Sequence, residues 1–149
     1  MITFQRELVL AFIDEAGELF KAHAEELKPH PNTKLNVRFD KFIQAEELDA
    51  LRIYTVREDQ KLVGYCLFLL QDHWHYADER EAQSTALYLS PSLRGKRIGK
   101  GFLAYCDTQL KLENVQVIYH HVKATHSFAP LLEKLGYGLI DFTYYKRLE

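Results

Sequence analysis

The sequence is sparing in the residues that mark specialised folds. Its 149 residues include two cysteines, Cys66 and Cys106, in no Cys-x-x-Cys pair. That excludes a disulfide scaffold and a thiolate zinc ribbon, and both cysteines, set in apolar runs, are expected to be buried and reduced. Four prolines and seven glycines are too few for an extended proline-rich segment or a flexible linker, and no internal repeat or low-complexity stretch occurs. No apolar run is long enough to cross a bilayer. The run Leu8-Val-Leu-Ala-Phe-Ile13 is short, flanked by Glu7, Asp14 and Glu15, and followed by no small-residue cleavage site. A soluble cytoplasmic protein is expected. The formal net charge is -2, so there is no broad basic surface for nucleic acid. What remains, 47% hydrophobic and 27% charged, is ordinary for one globular domain spanning 1–149.

One stretch concentrates positive charge. Leu87-Tyr-Leu-Ser-Pro-Ser-Leu-Arg-Gly-Lys-Arg-Ile-Gly-Lys-Gly101 reads as a strand, a tight loop and the start of a helix. Pro91 ends the strand, and Gly95 and Gly99 allow a close turn and close approach to a ligand. From Ile98 the apolar spacing turns helical, with Ile98, Phe102, Tyr105, Cys106, Gln109, Leu110 and Leu112 as mixed core positions. Arg94, Lys96, Arg97 and Lys100 crowd the amino end of that helix, where the macrodipole already disfavours cations. An anion held by the loop amides reverses that cost, so the stretch implies a phosphate site. It is neither a Walker loop, which needs Gly-Lys-Ser/Thr after a four-residue gap, nor a Rossmann loop, whose glycine spacing differs.

In chain order, Phe4, Leu8, Phe12, Ala16, Leu19, Phe20 and His23 predict a helix over 4–27, broken at Lys28-Pro-His-Pro-Asn32. His23 and His30 are given no role. Asp40 can cap a second helix running to about residue 50, with Ile43 and Leu48 inward. A strand over 52–57 and a buried one over 62–70 form a hairpin, with Gly64 at a bulge. If that strand continues through Asp72-His-Trp-His-Tyr76, His73 and His75 share a face. Strands follow at 83–89, 115–122 and 137–145, with helices at about 98–114 and from Ser127 to Gly136. The order predicts a mixed α/β sheet with a parallel crossover around the basic loop.

Arg94-Gly-Lys-Arg-Ile-Gly99 after a strand resembles the acetyl-CoA motif of the GNAT acyltransferases, usually Arg/Gln-x-x-Gly-x-Gly/Ala. Arg94 matches the first position and Gly99 the last, and Arg97 replaces the middle glycine. Leu131-Leu-Glu-Lys-Leu-Gly-Tyr137 is similar to the family's Phe/Leu-Tyr-Glu-Lys-Leu-Gly-Phe motif. The compact size and the runs Val-Gly-Tyr and Tyr-His-His-Val-Lys further resemble small bacteriophage-encoded members, for which the host cytoplasm is the implied location. The resemblance implies a GNAT fold. That is a central mixed, mostly antiparallel sheet with a parallel crossover, splayed central strands and about four flanking helices. It also implies acetyl-CoA as donor, with Leu87, Tyr88 and Leu89 bonding the pantetheine arm through their backbone. The amides of Gly95, Lys96, Arg97, Ile98, Gly99 and Lys100 would hold the pyrophosphate, and the cations would neutralise it.

The implied reaction is direct acetyl transfer to a primary amine on a small molecule or protein, which needs a base and an acid but no covalent nucleophile. The family's usual acid, a tyrosine, is Leu132 here and cannot donate a proton. His120 and His121 face opposite sides of their strand, so at most one points at substrate. Tyr144 is a candidate acid among the tyrosines. His73, His75, His120 and His121 lack a third ligand at fixed spacing, so no metal is expected. The alternatives are a non-catalytic CoA-binding or protein-interaction module and, with little support, a nucleic-acid binder using the loop, which would show steep salt dependence. The aromatic C-terminal stretch is a candidate homodimer edge.

Overall fold

A computed structural model describes residues 1–28 and 32–148. The strands are β1 (Ile2–Glu7), β2 (Leu51–Glu58), β3 (Lys61–Asp72), β4 (Arg80–Leu89) and β5 (Val117–Tyr119), and the helices α1 (Val9–Leu27), α2 (Phe39–Glu47), α3 (Ile98–Leu112) and α4 (Ala129–Lys134). They form one sheet in the order β1-β2-β3-β4-β5. Its pairs are antiparallel except β4 with β5, which is the parallel crossover through α3.

The sheet is covered on both faces. On one, Val9, Phe12, Ala16 and Phe20 of α1 pack on Ile53, Tyr65, Leu67 and Tyr88, with Phe39, Phe42 and Ile43 of α2 beside them. On the other, Phe102, Cys106 and Leu110 of α3 pack on Tyr54, Cys66, Phe68 and Ala82. This explains β3: both its faces are buried, so the apolar run is unbroken. Cys66 and Cys106 are buried free thiols, as expected.

Residues 2–7 are a strand, not the first turns of the helix. Phe4, Leu8 and Phe12 are four apart and satisfy helical spacing, but Ile2 and Phe4 also alternate and pack on the α3 side. Pairing with β2 decides the matter. Glu7 then lies buried on the opposite face, where Arg57 binds its carboxylate at 2.7 and 2.8 Å and the Thr55 hydroxyl donates to it. Other expectations fail at edges. Leu48 and Leu112 are exposed, while Leu103 fills the core. Asp40 lies in the first turn of α2 behind its N-cap Arg38. β3 stops at Asp72, so His73 and His75 sit in a turn. There the His73 ring accepts from the His75 and Tyr76 amides at 3.0 and 3.2 Å. Pro29, His30 and Pro31, within the predicted break, lie outside the described residues.

Two irregularities shape the ligand edge. The β2–β3 register slips between Val56 and Arg57, beside Gly64, and a Cβ on Gly64 would stand 2.8 Å from the Tyr88 carbonyl oxygen. That close approach draws β3 against β4 and requires glycine. The β3–β4 register slips again between Leu67 and Phe68, whose partners are Ala86 and Ser84. Thr85 is therefore an extra residue in β4, and a bulge bends a strand and sharpens its twist.

The pairing of β5 with β4 ends at Gln83 and Tyr119. Beyond it the strands separate, and β5 is three residues rather than eight. The strand expected over 137–145 is absent, because residues 135–148 form no helix or strand. Alternation says which face a strand would bury and supplies no edge to pair with. Leu139, Ile140, Phe142 and Tyr144 are exposed there.

Candidate functional site

Where β5 parts from β4, a cleft of about 1370 Å³ opens through that side of the sheet. One wall is β4 from Gln83 to Leu89, with the basic loop and the start of α3 at its far end. The opposite wall carries His121, Lys123 and His126, and the last turn of α1 closes it with His23 and Glu26.

The loop turns amides and cations toward the cleft. Gly95 and Arg97 both adopt the left-handed region, at φ 77° and 63°. Alternating backbone signs of this kind turn successive amides inward. Arg97 is the N-cap of α3 and makes no side-chain cap, and the first turn holds no acid. The first intrahelical bond runs from the Gly101 amide to the Arg97 carbonyl. The Ile98, Gly99 and Lys100 amides therefore lack intrahelical partners, as first-turn amides do. The left-handed φ also accounts for the glycine usual at the Arg97 position: arginine bears a cost of about 1–2 kcal/mol there, and adds a cation in return.

Of the residues expected around a donor, Leu87, Tyr88, Leu89, Arg94, Gly95, Arg97, Gly99 and Lys100 line the cleft. Lys96 points to solvent and Ile98 packs on the core. Arg94 is already engaged. Its Nε donates to the Leu89 carbonyl at 2.8 Å, and its two Nη atoms grip Glu26 at 2.6 and 2.8 Å. The cleft cations with no ion pair among the described residues are Arg97, Lys100, Lys123 and Lys134.

The two adjacent histidines part company. His121 lines the cleft. His120 turns into the core against Phe68, Phe128 and Tyr137. Neither of its nitrogens has a hydrogen-bond partner among the described residues. Burial pushes its pKa down to about 4, with a smaller contribution from His121, which favours the neutral ring, and it does not line the cleft. Tyr144, 92% exposed, lies outside the cleft on the irregular C-terminal segment. Leu132 is buried. Tyr137 of the same motif donates its hydroxyl to Asp107 at 2.5 Å, tying the end of α4 to α3. No group of three or more His, Cys, Asp or Glu side chains among the described residues could hold a metal, and no helix is long and apolar enough to cross a membrane.

Sequence reading passed over His23 and Glu26. His23 Nδ1 lies 2.8 Å from the Tyr65 hydroxyl, and its ring rests 5.1 Å from that of Tyr88. Burial lowers its pKa, opposed by Glu26 and aided by Arg94 and Lys123. The signal was present: His23 continues the apolar stripe of α1, and Glu26 follows three residues on, one turn along the same face.

Solved structures share this fold. An aminoglycoside acetyltransferase from an uncultured soil metagenomic sample, in complex with sisomicin, is 12% identical with a TM-score of 0.75, covering 99% of this chain and 97% of that one. A predicted acetyltransferase with acetyl-CoA from Clostridium acetobutylicum is 16% identical with a TM-score of 0.73, over 100% and 96%. A ribosomal-protein-alanine N-acetyltransferase from Brucella melitensis is 15% identical, also at 0.73, over 100% and 99%. At these identities the likeness establishes the fold. No curated relative matches. The profile of the Acetyltransferase (GNAT) family matches residues 14–137. These residues carry the cleft, the basic loop and α4, and on that match the chain belongs to the GNAT acetyltransferase family, whose acetyl donor is acetyl-CoA.

Proposed function

We propose that this protein is an N-acetyltransferase that moves the acetyl group of acetyl-CoA directly onto a primary amine, on a small molecule or a protein, in a ternary complex. The observation that carries the reading is the cleft. It gives a phosphate-binding turn at one end and an open strand edge along its length, the shape an elongated thioester with a charged head requires. In the transfer, the amine nitrogen attacks the thioester carbonyl carbon, the carbon–sulfur bond breaks, and a proton passes from nitrogen toward the departing thiolate. His121 and His23 both line the cleft, and imidazole is a side chain able to take up that proton and pass it on. One of the similar structures bears the name of an N-acetyltransferase, which supports the acceptor class.

The second reading, a CoA-binding module without turnover, is favoured by one observation: the position usual for the family's acid is the buried Leu132. Turnover separates the two. With acetyl-CoA and a panel of primary amines, the enzyme reading expects acceptor-dependent release of free thiol. Saturable acetyl-CoA binding without release from any amine favours the module. The reading also includes a homodimer through the exposed C-terminal segment, for which the expected sedimentation mass is two chains; a one-chain mass would remove it.

A further inference from the structure

Arg94 is the first residue of the anion loop, yet each of its three nitrogens is engaged by protein. Nε binds the Leu89 carbonyl at the end of β4, and both Nη atoms bind the Glu26 carboxylate on the last turn of α1. Its guanidinium carbon stands 5.5 Å from the centre of the Tyr88 ring. One turn earlier on α1, His23 meets the Tyr65 hydroxyl at 2.8 Å and packs on Tyr88 from its own side. The C-terminal part of α1 is thus fastened at two points, through Glu26 and Arg94 to the end of β4, and through His23 to Tyr65 of β3 and the ring of Tyr88 on β4. After Leu27 the helix ends at Lys28, whose φ is 44°.

From this juxtaposition we infer that Glu26 and Arg94 form a clasp that holds α1 against the donor channel, and that Arg94 is a positioning residue rather than a phosphate ligand. The inference rests on the donor reading above and deepens it. Moving Arg94 onto a pyrophosphate would break a bidentate pair and leave the Glu26 carboxylate facing a bound anion. Like charges there oppose binding. The clasp leaves Arg97 and Lys100 to meet the phosphates, and it gives the donor's uncharged arm a wall on the α1 side.

The two roles predict opposite signs for one variant. If Arg94 were a phosphate ligand held in reserve, Glu26→Gln would free it and tighten acetyl-CoA binding. If it clasps, Glu26→Gln and Arg94→Ala each weaken acetyl-CoA by about tenfold, the scale of one charge-assisted bidentate contact. Their double variant is then no weaker than either alone. Titration should also use 3′-phospho-ADP, the phosphate-bearing half of the donor, which never enters the arm's channel. The clasp predicts that Arg94→Ala binds it as the wild type does. Hydrogen exchange at the last turn of α1, in protein without ligand, should be faster in both single variants. Tighter acetyl-CoA binding by Glu26→Gln, an equal loss of both probes in Arg94→Ala, or unchanged exchange would each overturn the clasp. Wild-type protein that binds neither probe would instead overturn the donor reading itself.

Discussion

Exchanging Arg97 and Lys100 together for glutamate is expected to weaken acetyl-CoA binding at least about 100-fold, without loss of fold. Both side chains are exposed, so neither supports the core, and glutamate at position 97 bears a left-handed backbone cost of the same order as arginine's, about 1–2 kcal/mol. Both line the cleft at the amino end of α3, and neither is drawn into an ion pair there among the described residues. The effect on the ligand combines two contributions. A charge-assisted contact is worth about 1.5–3 kcal/mol, so two together exceed a 100-fold change. The new carboxylates would also stand beside amides that otherwise receive an anion, and would satisfy them from within. Raising salt should weaken the wild type and leave the variant nearly flat, because exposed charge attraction is screened. Calorimetric titration measures both. A loss of less than tenfold in a folded variant would place the phosphates elsewhere.

Acidification is expected to destabilise the protein between about pH 6.5 and 4, through His120. The folded pKa is about 4, below the ordinary 6.5 of an exposed histidine. In that window the unfolded chain binds a proton that the folded chain refuses. Stability is therefore full above pH 6.5, falls as pH drops to 4, and then levels off for this group; two and a half units correspond to about 3 kcal/mol. The physical cause is the ring's position among Phe68, Phe128 and Tyr137, where nothing described accepts or donates to it. His23, also lowered by burial, acts in the same direction. Asp107, raised by burial against the Tyr137 hydrogen bond, acts in the opposite one at pH values above the ordinary carboxyl range. Glu7 contributes lower still. Burial alone would raise its carboxyl, but Arg57, Thr55 and Gln5 hold it below the usual value. Its stabilisation is lost only as pH falls through that lowered value. Denaturant melts of wild type and His120→Leu at pH 7 and pH 5 isolate the histidine. The variant should lose less stability than the wild type across that interval, because only the wild type carries the contribution of His120. Parallel losses would show that His120 is accommodated when charged.

The parts of this molecule that were legible in the sequence are those whose signals are local. Strand, Pro91, basic turn and helix follow one another within 87–101, and each is set by residues a few positions away. The parallel crossover followed from that order. The N-terminal strand was not legible, because spacing by four at Phe4, Leu8 and Phe12 fits a helix equally well and the deciding partner, β2, begins at Leu51. Strand direction assigned His120 and His121 to opposite faces; which face opened on the cleft depended on where β5 leaves β4. Arg94 read as a free cation because its partner Glu26 stands 68 residues away. Conversely, Arg97 read as a departure from the family motif, and the structure supplies the reason glycine is usual: a left-handed backbone that arginine can adopt at modest cost.

The central claim is that acetyl-CoA lies along β4 with its phosphates on the α3 amides. An amide chemical-shift titration of the whole chain with acetyl-CoA tests it most directly. Saturable shifts should be largest at Gly95, Ile98, Gly99 and Lys100, extend along Ala86 to Leu89, and be small at Leu139 to Tyr145. A folded protein whose loop amides stay in place at millimolar acetyl-CoA, or whose shifts gather away from β4, would contradict the account.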